Sequence, residues 1–308
     1  MSTVQKTITP FAWAELALLS FLWGGSFLAV RIALNEIGFL TSVAHRVGWA
    51  ALILWGYVLI RRLEIPRDPR TWGAFLVMGM LANAIPFCLM AWGQLHIESG
   101  LTSILNAATA IFGVLAAAIF FADERLTTRR IIGVLLGFFG VATAIGLSSL
   151  TQLDLRSLGQ LAVIGGTMSY ALAGVWARKK LSDLKPQLAA AGMLTGSSLV
   201  MIPAAWIIEG PISLNLSTAT WLAVGYYAIF ATAVAYLVYY HVLKIAGAGN
   251  VALCTLTIAP VAIILGAVVL GEELHWQAYA GFVLLALGLL ILNGWFGRKP
   301  AQDSPRRA

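Results

Sequence analysis

Polar side chains are rare in this 308-residue chain, so those standing inside long apolar runs are the first candidates for chemistry. They are Asn83, Asn106, Thr109, Thr257 and Arg46, accompanied by the aromatics Trp23, Tyr170 and Tyr236. An amide offers both donors and an acceptor, and a guanidinium offers five N–H donors in a fork that suits a carboxylate. This is chemistry for holding a small molecule. Pro86 and Pro260 add backbone groups: each lacks an N–H and frees the carbonyl four residues earlier, at Ala82 and Leu256. Each proline is either a plain kink repacked by its neighbours or the source of a carbonyl for an ammonium or hydroxyl.

The same ambiguity runs through the other candidates. Asn106 and Thr109 are three residues apart and share a helix face. A threonine in a membrane helix often bonds its own preceding turn, so Thr109 and Thr257 either do that or line a cavity. Asn106 is less easily satisfied locally, and a cavity or interhelical role is expected. Trp23 and Tyr170 either fill space between helices or wall a site for an aromatic or aliphatic group. Tyr236 stands deeper than Tyr239 and Tyr240 and is expected at an inner gate. Arg46 lies seven residues into its helix, about 10 Å from the surface. It either snorkels and clamps helix-end carbonyls or attracts a substrate carboxylate.

What is missing also directs the reading. No Asp or Glu falls in the middle of an apolar run; Glu15 and Glu98 stand at ends. Proton-coupled carriers commonly use a mid-membrane carboxylate, which leaves only His45 and His241, so uncoupled or weakly coupled movement is expected. One buried cation cannot balance a phosphate dianion; a neutral or zwitterionic substrate fits better. A lipid-processing membrane enzyme is the alternative from another class, with Glu272, Glu273 and His275 as its nearest cluster. The counterparts Glu124, Arg125 and Thr127 do not repeat that cluster, so no enzyme, metal or cofactor is expected. Cys88 and Cys254 fall in opposite membrane halves and are not expected to pair.

The elements that position these residues are membrane helices. The chain is 60% hydrophobic and 11% charged, with a mean hydropathy of +0.86, whereas soluble domains carry about a quarter charged residues. Charge-free runs at 71–97, 99–122, 131–153, 158–177, 187–208, 210–240, 245–271 and 276–297, with two more near 13–34 and 39–60, predict ten membrane helices. Alternate loops hold 17 of the 20 Lys and Arg residues. That bias predicts both termini in the cytoplasm of a bacterial inner membrane. The net charge of +7 is thereby read as topology, with the bilayer and not nucleic acid as partner. The first apolar run lacks a cleavage site and is read as a helix, not a signal peptide. Tryptophans near helix ends, such as Trp72, Trp206 and Trp276, read as interface belts.

Two stretches 148 positions apart read alike. Glu124, Leu126, Gly133 and Gly140 superpose on Glu272, Leu274, Gly281 and Gly288 without a gap. Leu95, Ile97, Leu105 and Thr109 match Leu243, Ile245, Leu253 and Thr257 at the same spacing, and Trp23 matches Tyr170 at 147. Five helices per copy make the second copy inverted, the usual build of a carrier opening alternately to two sides. The first repeat is assigned to residues 1–150 and the second to 151–308, an all-α polytopic membrane protein of two inverted five-helix repeats.

The chain resembles the EamA-type members of the drug/metabolite transporter superfamily. The Glu-x-Leu-x6-Gly elements at Glu124–Gly133 and Glu272–Gly281 carry the resemblance, with Trp23-Gly24, Arg46 and Pro260. Phe112 stands where a proline matching Pro260 would often be found. The resemblance implies a carrier exporting small metabolites, foremost amino acids, as in the YddG-like aromatic amino-acid exporters; multidrug or purine export within the superfamily is the alternative. Glu124 and Glu272 are expected as structural anchors. Gly133, Gly137 and Gly140, and Gly192 and Gly196, are expected to let helices approach closely, within a monomer or a homodimer.

Overall fold

The structure is a computed structural model describing residues 8–97, 99–146, 157–270 and 276–293. Glu98, the link before Ser157, Glu272 with Glu273 and His275, and the basic tail beyond Asn293 lie outside the described residues.

Every element is a helix among the described residues. In the first repeat these are α1 (Pro10–Ala33), α2 (Phe39–Ile60), α3 (Pro69–Gly93), α4 (Ser99–Ala107), α5 (Thr109–Phe120) and α6 (Thr128–Ile145). The second holds α7 (Leu158–Lys180), α8 (Pro186–Glu209), α9 (Thr218–Ala246), α10 (Ala248–Val251), α11 (Cys254–Leu270) and α12 (Trp276–Asn293). Since α4 with α5 and α10 with α11 each make one broken rod, the described residues form ten rods, five per repeat. Helices win here because a backbone in lipid must satisfy its own polar groups.

Starts are marked by local chemistry. Thr9, Asp68, Thr127 and Ser217 accept side-chain caps from Ala12, Thr71, Arg130 and Thr220 N–H groups, and Pro10, Pro69 and Pro186 stand in first turns. Arg61, Arg62, Arg67, Arg125, Arg178, Lys179, Lys180 and Lys185 stand in or beside the loops after α2, α5 and α7 and share one face with Lys244; the ends of α1, α3 and α8 lie at the opposite face.

Large apolar side chains such as Leu52, Leu59, Leu199, Ile207, Ile208 and Leu222 are exposed, an exterior suited to lipid and not to water. The interior is built from small residues. Ala189, Ala190 and Ala191 are fully buried on α8, where Gly192 meets the Phe75 ring and Gly196 meets the backbone of Leu76. The expectation for these two glycines holds.

The glycines of the repeated motif meet one another. A Cβ on Gly133 would lie 2.9 Å from the Gly288 carbonyl, and one on Gly140 would lie 2.9 Å from the Gly281 carbonyl. Gly133 and Gly281 are repeat mates, as are Gly140 and Gly288, so the crossing of α6 and α12 is reciprocal. Gly137 faces Leu285, its own mate, at the centre. A pseudo-two-fold axis therefore runs through this crossing, and the fifth and tenth rods pack on each other within one chain.

Candidate substrate-binding cavity

Two irregular turns shape the centre. Helix α3 widens into a π turn at Met80–Ala84, just before Pro86, and α9 does so at Tyr226–Val234. An i→i+5 turn leaves carbonyls without their usual partners, and such turns gather at functional sites. Side chains of the opposite repeat meet them. The Ser169 hydroxyl donates to the Leu81 carbonyl at 2.7 Å, and Tyr236 to that of Ala82 at 3.2 Å. Conversely, Trp23 Nε1 donates to the Ala231 carbonyl at 3.0 Å and Arg46 Nη2 to the same oxygen at 3.3 Å. Ala82 is the carbonyl that Pro86 was expected to free; the protein itself uses it.

The fourth and ninth rods carry a second matched irregularity. Ala108 N–H bonds the Leu105 carbonyl, and Leu256 N–H bonds the Leu253 carbonyl, each at 3.1 Å. These pairs are repeat mates 148 apart, and each is a tight i→i+3 turn immediately before Thr109 or Thr257. Pro260 stands inside α11 without interrupting it, and Phe112 packs beside Ala116, Ala171 and Val175.

Between these elements lies a cavity of about 140 Å³. A protein cavity of about 150 Å³ holds a benzene ring, so this one takes a group of roughly six non-hydrogen atoms. Trp23, Phe87, Tyr170, Tyr236 and Tyr239 give aromatic walls, and Arg46, Asn106 and Thr109 give polar points. The rings are linked: Trp23 lies 6.3 Å from Tyr239, Tyr239 lies 6.1 Å from Tyr236, and Phe87 lies 6.4 Å from Tyr170. Lining residues run from Val30 and Gln94, near the non-basic face, to Gly174 and Ala248, near the basic face.

Five of the seven sequence-derived substrate candidates thus line one cavity, and two do not. Asn83 is fully buried behind Tyr236, lies against its hydroxyl, and donates to Ser197 Oγ at 3.4 Å. Thr257 hydrogen-bonds the Ser20 hydroxyl and donates to the Cys254 carbonyl at 2.9 Å, the local bonding open to any membrane threonine. Its mate Thr109 does the reverse: its buried hydroxyl has no partner among the described residues. Asn106 likewise has no hydrogen-bond partner among them.

Arg46 does not snorkel. It is 8% exposed, with its guanidinium 3.9 Å over the Phe87 ring and Nε donating to Thr232 Oγ1 at 2.8 Å. No carboxylate pairs with it among the described residues. A charge at the centre of a membrane helix costs about 2.5–3.5 kcal/mol on insertion scales, and Arg46 offsets part of this with the α9 hydroxyl and carbonyl. Phe87 was missed by sequence reasoning. It is four residues past Asn83, nominally on the same face, but the intervening π turn adds a residue and aims Phe87 alone at the cavity.

The carboxylates work elsewhere, as ties between repeats. Glu124, 3% exposed, accepts from the N–H groups of Ala248 and Gly249 at 3.0 Å, from Arg178 at 2.5 Å and from Arg130 at 3.5 Å. Negative charge suits the helix start it covers. Gly247, with φ of +90°, makes the reversal from α9 to α10, and a Cβ there would stand 2.7 Å from Glu124 Oε1. Glu15 meets His241 Nδ1 at 2.8 Å on the same face. At the other face, Glu209 takes the N–H groups of Leu40 and Thr41 at 3.0 and 2.8 Å, and Glu36 takes Ser217 and Thr220. Hydrogen bonds from those two residues hold the Glu36 carboxyl below its ordinary range. His45 bonds the Ser213 carbonyl and accepts from Trp49, away from the cavity.

The sequence profile of the EamA-like transporter family matches residues 12–146 and again residues 157–294. The chain belongs to this family. The two matches of this EamA-type carrier correspond to the two five-rod repeats seen in the structure. It is 26% identical over 286 residues, 89% of this chain and 92% of the relative, to a probable amino-acid metabolite efflux pump of Escherichia coli strain K12. The Salmonella typhimurium protein of the same description is 27% identical and covers 93% of this chain and 96% of its own length. An uncharacterized transporter of Archaeoglobus fulgidus is 22% identical, covering 91% and 98%. A crystal structure superposes with a TM-score of 0.77 at 15% identity, over 93% of this chain and 99% of that one, so the EamA-type carrier shares its fold.

Proposed function

We propose that this EamA-type transporter exports small metabolites of amino-acid size, amino acids foremost, by alternating access across a bacterial inner membrane with both termini in the cytoplasm. The central cavity carries this reading. It lies between the two repeats, has aromatic walls, takes a group of roughly six non-hydrogen atoms, and holds one guanidinium with no acid beside it among the described residues. Lipophilic drug cations are poorly served by such a site. The relatives described as amino-acid metabolite efflux pumps support the same class. The positive-inside bias supports the orientation.

Access alternates as the repeats rock about the α6–α12 crossing. Glu15 and Glu124 tie the repeats at the basic face, and Glu36 and Glu209 tie them at the other. Opening one face requires releasing its pair of ties. None of the four acids lines the cavity, which supports export driven by the substrate gradient and not by protons.

Purified protein in liposomes should exchange a labelled neutral amino acid without an imposed pH gradient. Absence of exchange for every amino acid tried would remove the amino-acid reading; exchange only under a pH gradient would remove the uncoupled mechanism.

A further inference from the structure

The polar points of the cavity are unequal, and the inequality bears on which end of a substrate is recognised. Arg46 spends Nε on Thr232 and one Nη2 hydrogen on Ala231, and Nη1 has no acceptor among the described residues. The Asn106 amide and the Thr109 hydroxyl also lack partners there. A guanidinium with a free nitrogen, held by its other two, is a preorganised carboxylate receptor. Among the described residues, the wall contains no Asp or Glu to receive an ammonium group. The buried positive charge is therefore uncompensated until an anion arrives, and truncating or omitting one partner of a buried pair is costly.

We propose that Arg46 docks the carboxylate of the transported molecule, with Asn106 and Thr109 as neutral hydrogen-bonding partners, so that selection rests on the carboxylate and not on the amino group. The substrate range then extends from amino acids to monocarboxylates of the same side chain. It excludes the corresponding amines. Aromatic or branched side chains lie against Trp23, Phe87 and Tyr170. This assignment rests on the transport reading above and adds its charge class.

The test uses three analogues of one aromatic side chain: the amino acid, the 2-hydroxy acid that replaces its amino group, and the amine that lacks its carboxylate. Each is offered as competitor to the labelled amino acid in wild-type proteoliposomes, and each is scored for thermal stabilisation of the detergent-purified protein. The hydroxy acid should compete within about threefold of the amino acid, and the amine should be at least about tenfold weaker, the loss expected for a charge-assisted hydrogen bond. An amine that competes equally, or a hydroxy acid that does not compete while the amino acid moves, overturns the docking role and leaves transport standing. Carboxylate-dependent stabilisation without transport of any analogue overturns the transport reading and leaves the docking site standing. Stabilisation by none of the three overturns the docking site. Arg46→Lys keeps the charge but loses the fork, and should weaken the hydroxy acid and the amino acid alike. Should that variant not fold, Thr109→Val removes a hydroxyl that no group among the described residues uses; unchanged affinity there would strike Thr109 from the site.

Discussion

The reciprocal crossing of α6 and α12 gives the sharpest quantitative expectation. Alanine at Gly140 would place its Cβ 2.6 Å from Leu285 N, 2.9 Å from the Gly281 carbonyl and 3.0 Å from Leu285 Cα, all backbone atoms. Ordinary contact lies near 3.5–4.0 Å, so the two helices must separate by about 0.5–1 Å, which forfeits a quarter to a half of each neighbouring dispersion contact. Overpacking of this kind costs about 1–3 kcal/mol, and the helix preference of Ala over Gly offsets about 0.5–1 kcal/mol. The net is a loss of up to about 2.5 kcal/mol, or a fall in Tm of up to a few degrees for a chain of this size. Gly56 is the control: nothing stands within 4 Å of a Cβ there, so Gly56→Ala should be neutral or stabilising. The assay is thermal unfolding of the purified variants in one detergent. Gly281→Ala, whose Cβ would meet Ala144 N and the Gly140 carbonyl, should match Gly140→Ala, and the double variant should fall short of the sum because both strain one contact. A Gly140→Ala protein as stable as Gly56→Ala would refute the assigned axis.

Three further outcomes follow from the same geometry. Glu124→Gln leaves Arg130 and Arg178 facing an amide and removes one acceptor from the start of α10; a loss of about 3–5 kcal/mol is expected in thermal unfolding, and a wild-type Tm would show that the cluster contributes little. The Glu36 carboxyl is held below its ordinary range by Ser217 and Thr220, so its contribution to stability is fully present above about pH 4.3 and is lost as pH falls through the lowered value. Glu36→Gln should therefore be less stable than wild type near neutrality and converge with it in acid; a gap that widens on acidification would contradict this. Trp23→Phe removes the Nε1 donor to Ala231 while keeping an aromatic wall, and should lower stability by about 0.5–1.5 kcal/mol and slow exchange, with unchanged values in both assays striking Trp23 from the site.

Much of the scaffold is legible in the order of residues alone. Apolar runs longer than a membrane is thick have one solution in lipid, because each helix satisfies its own backbone. Loop charges then set which ends lie together. The glycines at 133, 140, 281 and 288 stand out as a repeat, and symmetry alone makes their mutual contact a natural outcome. Five of the seven proposed lining residues follow from one rule, that a polar or aromatic group deep in a membrane helix faces its neighbours.

The partners chosen are not legible in this way, because they join residues far apart in sequence. Thr109 and Thr257 are repeat mates of one type, yet one hydroxyl faces the cavity with no partner among the described residues and the other is bonded to Ser20, 237 residues away. Asn83 and Phe87 share a nominal face until a π turn separates them. Arg46 has two readings from its position in the chain; only the placement of the Ala231 carbonyl and Thr232 beside it turns the guanidinium inward. Local sequence determined the helices, their order and their two-fold relation, since those follow from burial of backbone in lipid. Tertiary packing decided which polar groups are spent on the protein and which remain for a ligand, since a hydrogen bond is satisfied by whatever group lies within about 3 Å of it.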